Sequence, residues 1–272
     1  MITFWRRYKP FLNAGVQELM AYRVNFILYR VGDLIGAFVA FYLWKAVFDS
    51  SHQALIEDFS LSDMTLYIIM SFTTTLLTKS DSSFMIGEEV REGAIIMRLL
   101  RPVHFAASYL FVEIGSKLLI FLSLGLPFLI ILFSFKILSG VPILIALASV
   151  FAYLVSLLLA FLINFYFNIC FGFSAFVFKN LWGSNLLKNT LVSFMSGSLI
   201  PLVFFPKLIA TILGFLPFSS LIYLPVMIVI GKFDRTQILE SLGLQVFWLV
   251  VMFALSQFIW KKVQSHLTIQ GG

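Results

Sequence analysis

Long apolar runs separated by short polar stretches occupy most of this chain. A helix needs roughly 20 apolar residues to cross a bilayer. By that measure the pattern predicts six spans, over residues 24–48, 64–80, 110–135, 143–178, 187–205 and 240–262. The second is short and ends at Lys79 and Asp81. The fourth is too long for one straight crossing and is expected to tilt or break toward Lys179. Ahead of the first span, Phe4, Tyr8, Phe11, Leu12, Leu19 and Tyr22 recur at helical spacing, while Arg6, Lys9, Asn13 and Gln17 fall mostly elsewhere on the wheel. Residues 1–23 therefore predict a helix lying in the membrane interface. The polar residues there also break any signal-peptide core, so no cleaved leader is expected. Residues 206–231 are apolar but carry Pro217 and Pro225. Proline interrupts a helix, so two short helices dipping into the outer leaflet are expected, with protein covering their loose backbone groups. The fold class that follows is all-α. It is a single transmembrane domain of six helices, with an N-terminal interfacial helix and a re-entrant helical pair before the last span. No internal repeat or dividing linker is visible.

Composition agrees with a lipid environment. The chain has 272 residues, 60% of them hydrophobic and 12% charged, against about a quarter charged in a soluble domain. Its net charge is +6, and the placement of the cations carries more information than their sum. Arg6, Arg7, Lys9, Arg23, Lys79, Arg91, Arg98, Arg101, Lys117, Lys179, Lys188, Lys261 and Lys262 fall on one side of the predicted spans. Lys45, Lys136, Lys207, Lys232 and Arg235 fall on the other. The richer side is cytoplasmic by the positive-inside rule, which puts both termini in the cytoplasm. The basic excess points to anionic membrane lipid as its partner, not nucleic acid. The single cysteine, Cys170, excludes an internal disulfide framework and a Cys-rich metal site.

Few residues offer chemistry. There is no phosphate-binding loop of the G-x-x-x-x-G-K-[ST] type, no H-E-x-x-H pair and no G-x-S-x-G elbow. His52, His104 and His266 are scattered. No catalytic residue and no metal ligand is assigned, and the chain is not expected to be an enzyme. Arg30 and Asp33 stand three apart in the first span and can meet on one helical face. A lone charge there costs roughly 2.5 to 3.5 kcal/mol, so they read as a neutralising pair or as lining for a pathway or dimer interface. Asn164 and Asn168, four apart, read as helix-to-helix hydrogen bonds or pathway lining. Ser196 and Ser198 flank Gly197 in a small-residue stretch that suits helix contact, with pathway lining as the functional alternative.

The charged loop after the second span, residues 84–102, is the most informative stretch. Glu88 stands four residues before Glu92 and three before Arg91, so the three share one helical face. Gly93 is placed to end that helix, and Pro102 ends the next turn. Ile95, Ile96, Leu99 and Leu100 would hold the pair of short helices beside the membrane. The loop reads as a solvated interfacial segment or as a docking helix for a cytoplasmic partner.

Here the chain resembles a family. Glu89-Val90-Arg91-Glu92-Gly93 and Leu99-Leu100-Arg101-Pro102-Val103 are similar to the membrane subunit of ABC exporters of the ABC-2 type. The resemblance extends to Tyr22-Arg23-Val24-Asn25-Phe26, Ser196-Gly197-Ser198-Leu199-Ile200-Pro201-Leu202, Phe205-Pro206, Leu216-Pro217-Phe218 and Tyr223-Leu224-Pro225-Val226. One departure is Ile96, where the family often carries an acid. The resemblance implies a multi-pass subunit of a bacterial plasma membrane that pairs with a second permease, identical or related. It implies cytoplasmic ABC ATPase subunits that carry ATP and Mg, with no cofactor in this chain. It further implies that Met85, Glu88, Glu89, Arg91, Glu92, Gly93, Arg98 and Arg101 contact the ATPase. The expected cargo is amphipathic: a drug, lipid, peptide or glycolipid. An ion-coupled secondary transporter and a non-transporting scaffold or signalling subunit are the alternative readings.

Overall fold

The computed structural model describes residues 2–178 and 180–265; Lys179 and His266 lie outside them. The described residues form helices, with no strand beyond an isolated bridge between Ile56 and Phe59. In chain order the helices are α1 Ile2–Ala21, α2 Arg23–Ser51, α3 Leu61–Thr78, α4 Ser82–Glu92, α5 Ile95–Leu99, α6 Phe105–Ile120 and α7 Leu126–Leu138. They continue with α8 Ile143–Gly172, α9 Ala175–Phe178, α10 Trp182–Met195, α11 Lys207–Phe215, α12 Tyr223–Ile230 and α13 Arg235–Ser265. Among the described residues, four stretches are long and apolar enough to cross a membrane: Arg23–Ser51, Phe105–Leu138, Ile143–Phe178 and Arg235–Gln264.

The amphipathic N-terminal pattern forms α1, which packs along α6. Its inner face buries Tyr8 and Phe11 against Val112, and the Tyr8 hydroxyl accepts the His104 backbone N–H at 3.1 Å. Phe4 and Trp5 stay exposed, although the Phe4 ring also meets those of Tyr8 and Phe111. Only Tyr22 separates α1 from α2, and helical backbone bonds continue across it. Most of α2 is exposed and apolar, as a lipid-facing helix requires.

The span expected over 110–135 is a longer composite. Helix α6 passes through a π-helical turn, Phe121–Gly125, into α7. The Leu126 N–H donates to the Phe121 carbonyl, five residues back. Pro127 accounts for this: it has no N–H, and its ring crowds the carbonyl four residues earlier, so the helix widens locally.

Helix α3 is less apolar than the four long stretches because its polar groups face protein. Ser71, Thr73, Thr74 and Thr78 are buried. Thr73 and Thr78 donate to carbonyls one turn back, Thr74 pairs with the Tyr153 hydroxyl at 3.0 Å, and Ser71 donates to the Ser198 carbonyl. The Tyr67 hydroxyl donates to the Gly197 carbonyl at 2.6 Å. Buried polar groups are tolerated when bonded in this way. At the head of α3, Ser60 and Asp63 form a reciprocal capping box.

The helix expected over 187–205 begins earlier and ends at Met195. Gly197, in the left-handed region, turns the chain, and Pro201 and Pro206 keep residues 196–206 from continuing the helix. Residues 206–231 form α11 and α12, separated by a break at Leu216–Ile222 that contains Pro217. Pro225 sits in the first turn of α12, where its missing N–H costs no helical bond. Helix α12 is buried along its length against α3 and α8, while α11 exposes Leu208, Ile212 and Phe215.

Candidate functional site

Helix α4 lies where α3, α6, α8 and α10 converge, and its two faces differ. The inner face buries Ser82, Ser83, Ile86 and Gly87. The N-cap residue, Asp81, makes no side-chain cap of its own. Glu113 from α6 fills that place: its Oε1 accepts the Asp81 N–H at 3.0 Å, the Ser80 hydroxyl at 2.7 Å and the Ser82 hydroxyl at 2.6 Å. A carboxylate at a helix N-terminus satisfies orphan donors and complements the helix dipole. One residue on, Ser83 lies within hydrogen-bond distance of Asn168 Oδ1 on α8 and Asn185 Oδ1 on α10, at 2.9 and 2.7 Å.

The outer face carries Glu88, Arg91 and Glu92, all exposed. Arg91 pairs with Glu92 at 3.3 Å and approaches Glu88 at 4.0 Å. Gly93 closes the helix at φ 75, a conformation that favours glycine. The chain then reverses through α5. Arg98 points back and grips the Glu89 carboxylate through Nε and a second nitrogen, and donates to Ser108 at 2.9 Å. The Tyr109 hydroxyl donates to Glu89 at 2.7 Å, and the guanidinium lies 3.8 Å from the Tyr109 ring centre. Glu89 and Arg98 therefore join α4, α5 and α6 internally, whereas Glu88, Arg91, Glu92, Gly93 and Arg101 face outward. Arg101 also sits over the Phe11 ring of α1, at 5.6 Å. Met85 is half-buried between the two smaller apolar clusters.

Beside α4 a cavity of about 330 Å³ opens between α3, α8 and α10. Asn164, Asn168 and Ser196 line it, together with Lys188, Asn189 and Phe167. Ser198 lies outside the lining and donates to the Ser193 carbonyl at 2.8 Å. Arg30 and Asp33 form an ion pair at 3.0 Å on α2, which contributes nothing to this wall. Asn164 Nδ2 donates to the Thr78 carbonyl and Asn168 Nδ2 to Asn164, so both amides tie α8 together and to α3.

Lys188 is the residue that the sequence pattern misplaces. Counted with the cytoplasmic loop cations, it lies inside α10 and is 7% exposed. Its Nζ donates to Ser83, Asn168 and Asn185, three acceptors that match the three N–H groups of an ammonium. Lys117, counted in the same way, lies inside α6 and donates to the Leu76 carbonyl at 3.0 Å. The available signal was the three-residue spacing of Asn185 and Lys188, which places an amide and an ammonium on one helical face.

Comparison with curated proteins finds no match. A family model described as ABC-2 family transporter protein matches residues 34–271, most of the chain. The four long apolar stretches and this match together describe a multi-pass membrane protein. The chain belongs to the ABC-2 transporter family, whose members are the membrane permeases of ABC transporters and work with ATPase subunits.

Proposed function

We propose that this chain is the permease subunit of an ATP-driven exporter and moves an amphipathic substrate with energy from a separate ATPase subunit. The carrying observation is the division of α4: its outer face presents Glu88, Arg91 and Glu92, and its inner face is hydrogen-bonded to α6, α8 and α10. An ATPase bound to the outer face would push on three membrane helices at once. Such a device does no covalent chemistry. It supplies different contacts to two conformations, so nucleotide binding on the partner shifts the balance between them.

In this reading α2, α3, the α6–α7 composite, α8, the α10 segment and α13 are the six spans of a single transmembrane domain. Helices α11 and α12 form the re-entrant outer-leaflet pair. Both termini are cytoplasmic, the membrane is a bacterial plasma membrane, and a second permease, identical or related, completes the pathway. ATP and Mg belong to the ATPase. Glu88, Arg91, Glu92, Gly93 and Arg101 contact it directly, while Met85, Glu89 and Arg98 hold the contact surface in shape.

The test is co-purification of the tagged full-length chain from its native membrane. An ABC ATPase is expected to accompany the wild type, and to be lost from a Glu88→Lys/Glu92→Lys variant that still inserts in the membrane. Undiminished ATPase recovery with that variant would remove α4 from the contact, and no ATPase with the wild type would remove the exporter reading itself.

A further inference from the structure

The wall of the α3–α8–α10 cavity is divided by chemistry. Lys79, Ser80 and Lys188 supply its basic and polar part; Phe167, Val192, Leu221 and Ile222 supply its apolar part. Two lysines and no carboxylate line it among the described residues. The charged groups facing Lys188 are Asp81, Lys79 and Glu113. Asp81 already pairs with Lys79 at 3.6 Å, and Glu113 turns its Oε1 to the head of α4 and makes no ion pair with Lys188. Lys188 itself donates only to neutral oxygens, and its Nζ lies 4.8 Å from the Phe171 ring centre, so no carboxylate among the described residues pairs with it directly. A buried ammonium held only by neutral groups attracts an anion, because neutral acceptors and a ring face satisfy it without cancelling its charge. Beside it, the buried Asn185 Nδ2 has no acceptor among the described residues. The cavity, at about 330 Å³, is of the size that holds a headgroup and the start of a chain.

We propose that this cavity binds the anionic, phosphate-type group of an amphiphile at Lys188, with Phe167, Val192, Leu221 and Ile222 receiving the first part of its tail. The proposal rests on the exporter reading and narrows its cargo from amphipathic to anionic amphipathic. It also gives the site a route to α4. Lys188 donates to Ser83 at 2.7 Å as well as to Asn168 and Asn185, so an anion that draws the ammonium toward the cavity removes the direct bond from α10 to the head of α4.

Binding to the purified full-length chain in neutral detergent tests this, with dioleoyl phosphatidic acid, dioleoylglycerol and inorganic phosphate as probes. Phosphatidic acid is expected to bind at least about tenfold more tightly than either of the others, a gap that one charge-assisted contact supplies. Lys188→Gln is expected to remove that preference. Asn189→Trp at the exposed rim is expected to weaken phosphatidic acid binding while leaving Lys188 in place, which keeps the test valid should Lys188→Gln not fold. Lys207→Gln, remote from the cavity, is expected to change nothing. Equal binding of dioleoylglycerol would overturn the anionic part, and equal binding of free phosphate would overturn the tail. Unaltered binding by both Lys188→Gln and Asn189→Trp would overturn the site. ATPase recovery in the same preparations separates the two readings: lipid preference without an ATPase sinks the exporter reading and leaves the site, whereas an ATPase without the preference does the reverse.

Discussion

Gly15 and Gly115 make a reciprocal backbone contact between α1 and α6. A Cβ on Gly15 would sit 1.9 Å from the Val112 carbonyl oxygen, and one on Gly115 would sit 2.0 Å from the Leu12 carbonyl oxygen. Each glycine thus receives the other helix's main chain. This is how small residues let membrane helices approach closely.

Alanine at either position must push the helices apart, since the obstructing atoms are backbone and cannot rotate away. Gly15→Ala and Gly115→Ala are each expected to destabilise the fold by about 1–3 kcal/mol. The thermal midpoint of the detergent-solubilised protein measures this. The double variant should cost less than the two single costs combined, because one separation relieves both clashes.

The Glu89–Arg98 pair predicts a coupling defect without a docking defect. Its side chains are 21% and 15% exposed, and removing one partner leaves the other charge poorly solvated. Glu89→Gln or Arg98→Gln should destabilise by about 1–3 kcal/mol, and a double-mutant cycle should return a coupling of similar size. The ATPase should still co-purify, with transport per ATP hydrolysed reduced, because the outer face of α4 is untouched. Full coupling in both variants would contradict the bracing role.

Asp63, at the loop-side head of α3, predicts an acid-sensitive tie. Burial on its own would raise this carboxyl, but donation from Lys232 at 2.7 Å and from Ser60 outweighs it and holds the group below the usual aspartate range. A depressed native value means that the stabilisation is present at neutral pH and is lost as pH falls below about 4, through the native value. Asp63→Asn should therefore lower the thermal midpoint at neutral pH and flatten its decline in acid relative to wild type. Parallel pH profiles for the two proteins would show that the pair contributes nothing.

Gln245 joins three elements from inside α13. Fully buried, its Nε2 donates to the Ser220 carbonyl at 2.8 Å and the Ser156 carbonyl at 3.2 Å. Gln245→Leu leaves those carbonyls without this donor and should cost about 1–3 kcal/mol. Gln245→Glu, which replaces the amide donor with an acceptor, should cost more in the same thermal assay at neutral pH.

Much of the architecture was legible because lipid imposes a simple demand. Each crossing segment must be long, apolar and internally hydrogen-bonded, and α2, the α6–α7 composite, α8 and α13 show this directly. Punctuation was legible as well: Gly93 ends α4, and Pro217 falls in the break between α11 and α12. The π-helical turn before Pro127 was not anticipated, because proline in a helix allows either a break or a local widening and packing selects between them.

The candidate site divided differently. The charged loop of residues 84–102 stood out by composition alone, and the spacing of Glu88, Arg91 and Glu92 placed them on one face. What spacing could not say is that Glu89 and Arg98, from the same loop, turn inward. Their partners, Tyr109 and Ser108, come from another helix. Lys188 shows the same limit. Along the chain it is one more cation after a span, yet in the fold it is buried among Ser83, Asn168 and Asn185. The sequence by itself determined which segments are apolar enough for lipid, where helices must stop, and which family the loop resembles, because these depend on neighbours within a few residues. Only the tertiary structure decided which polar groups are sealed inside. That depends on contacts between residues as far apart as Ser83 and Lys188, which no local pattern records.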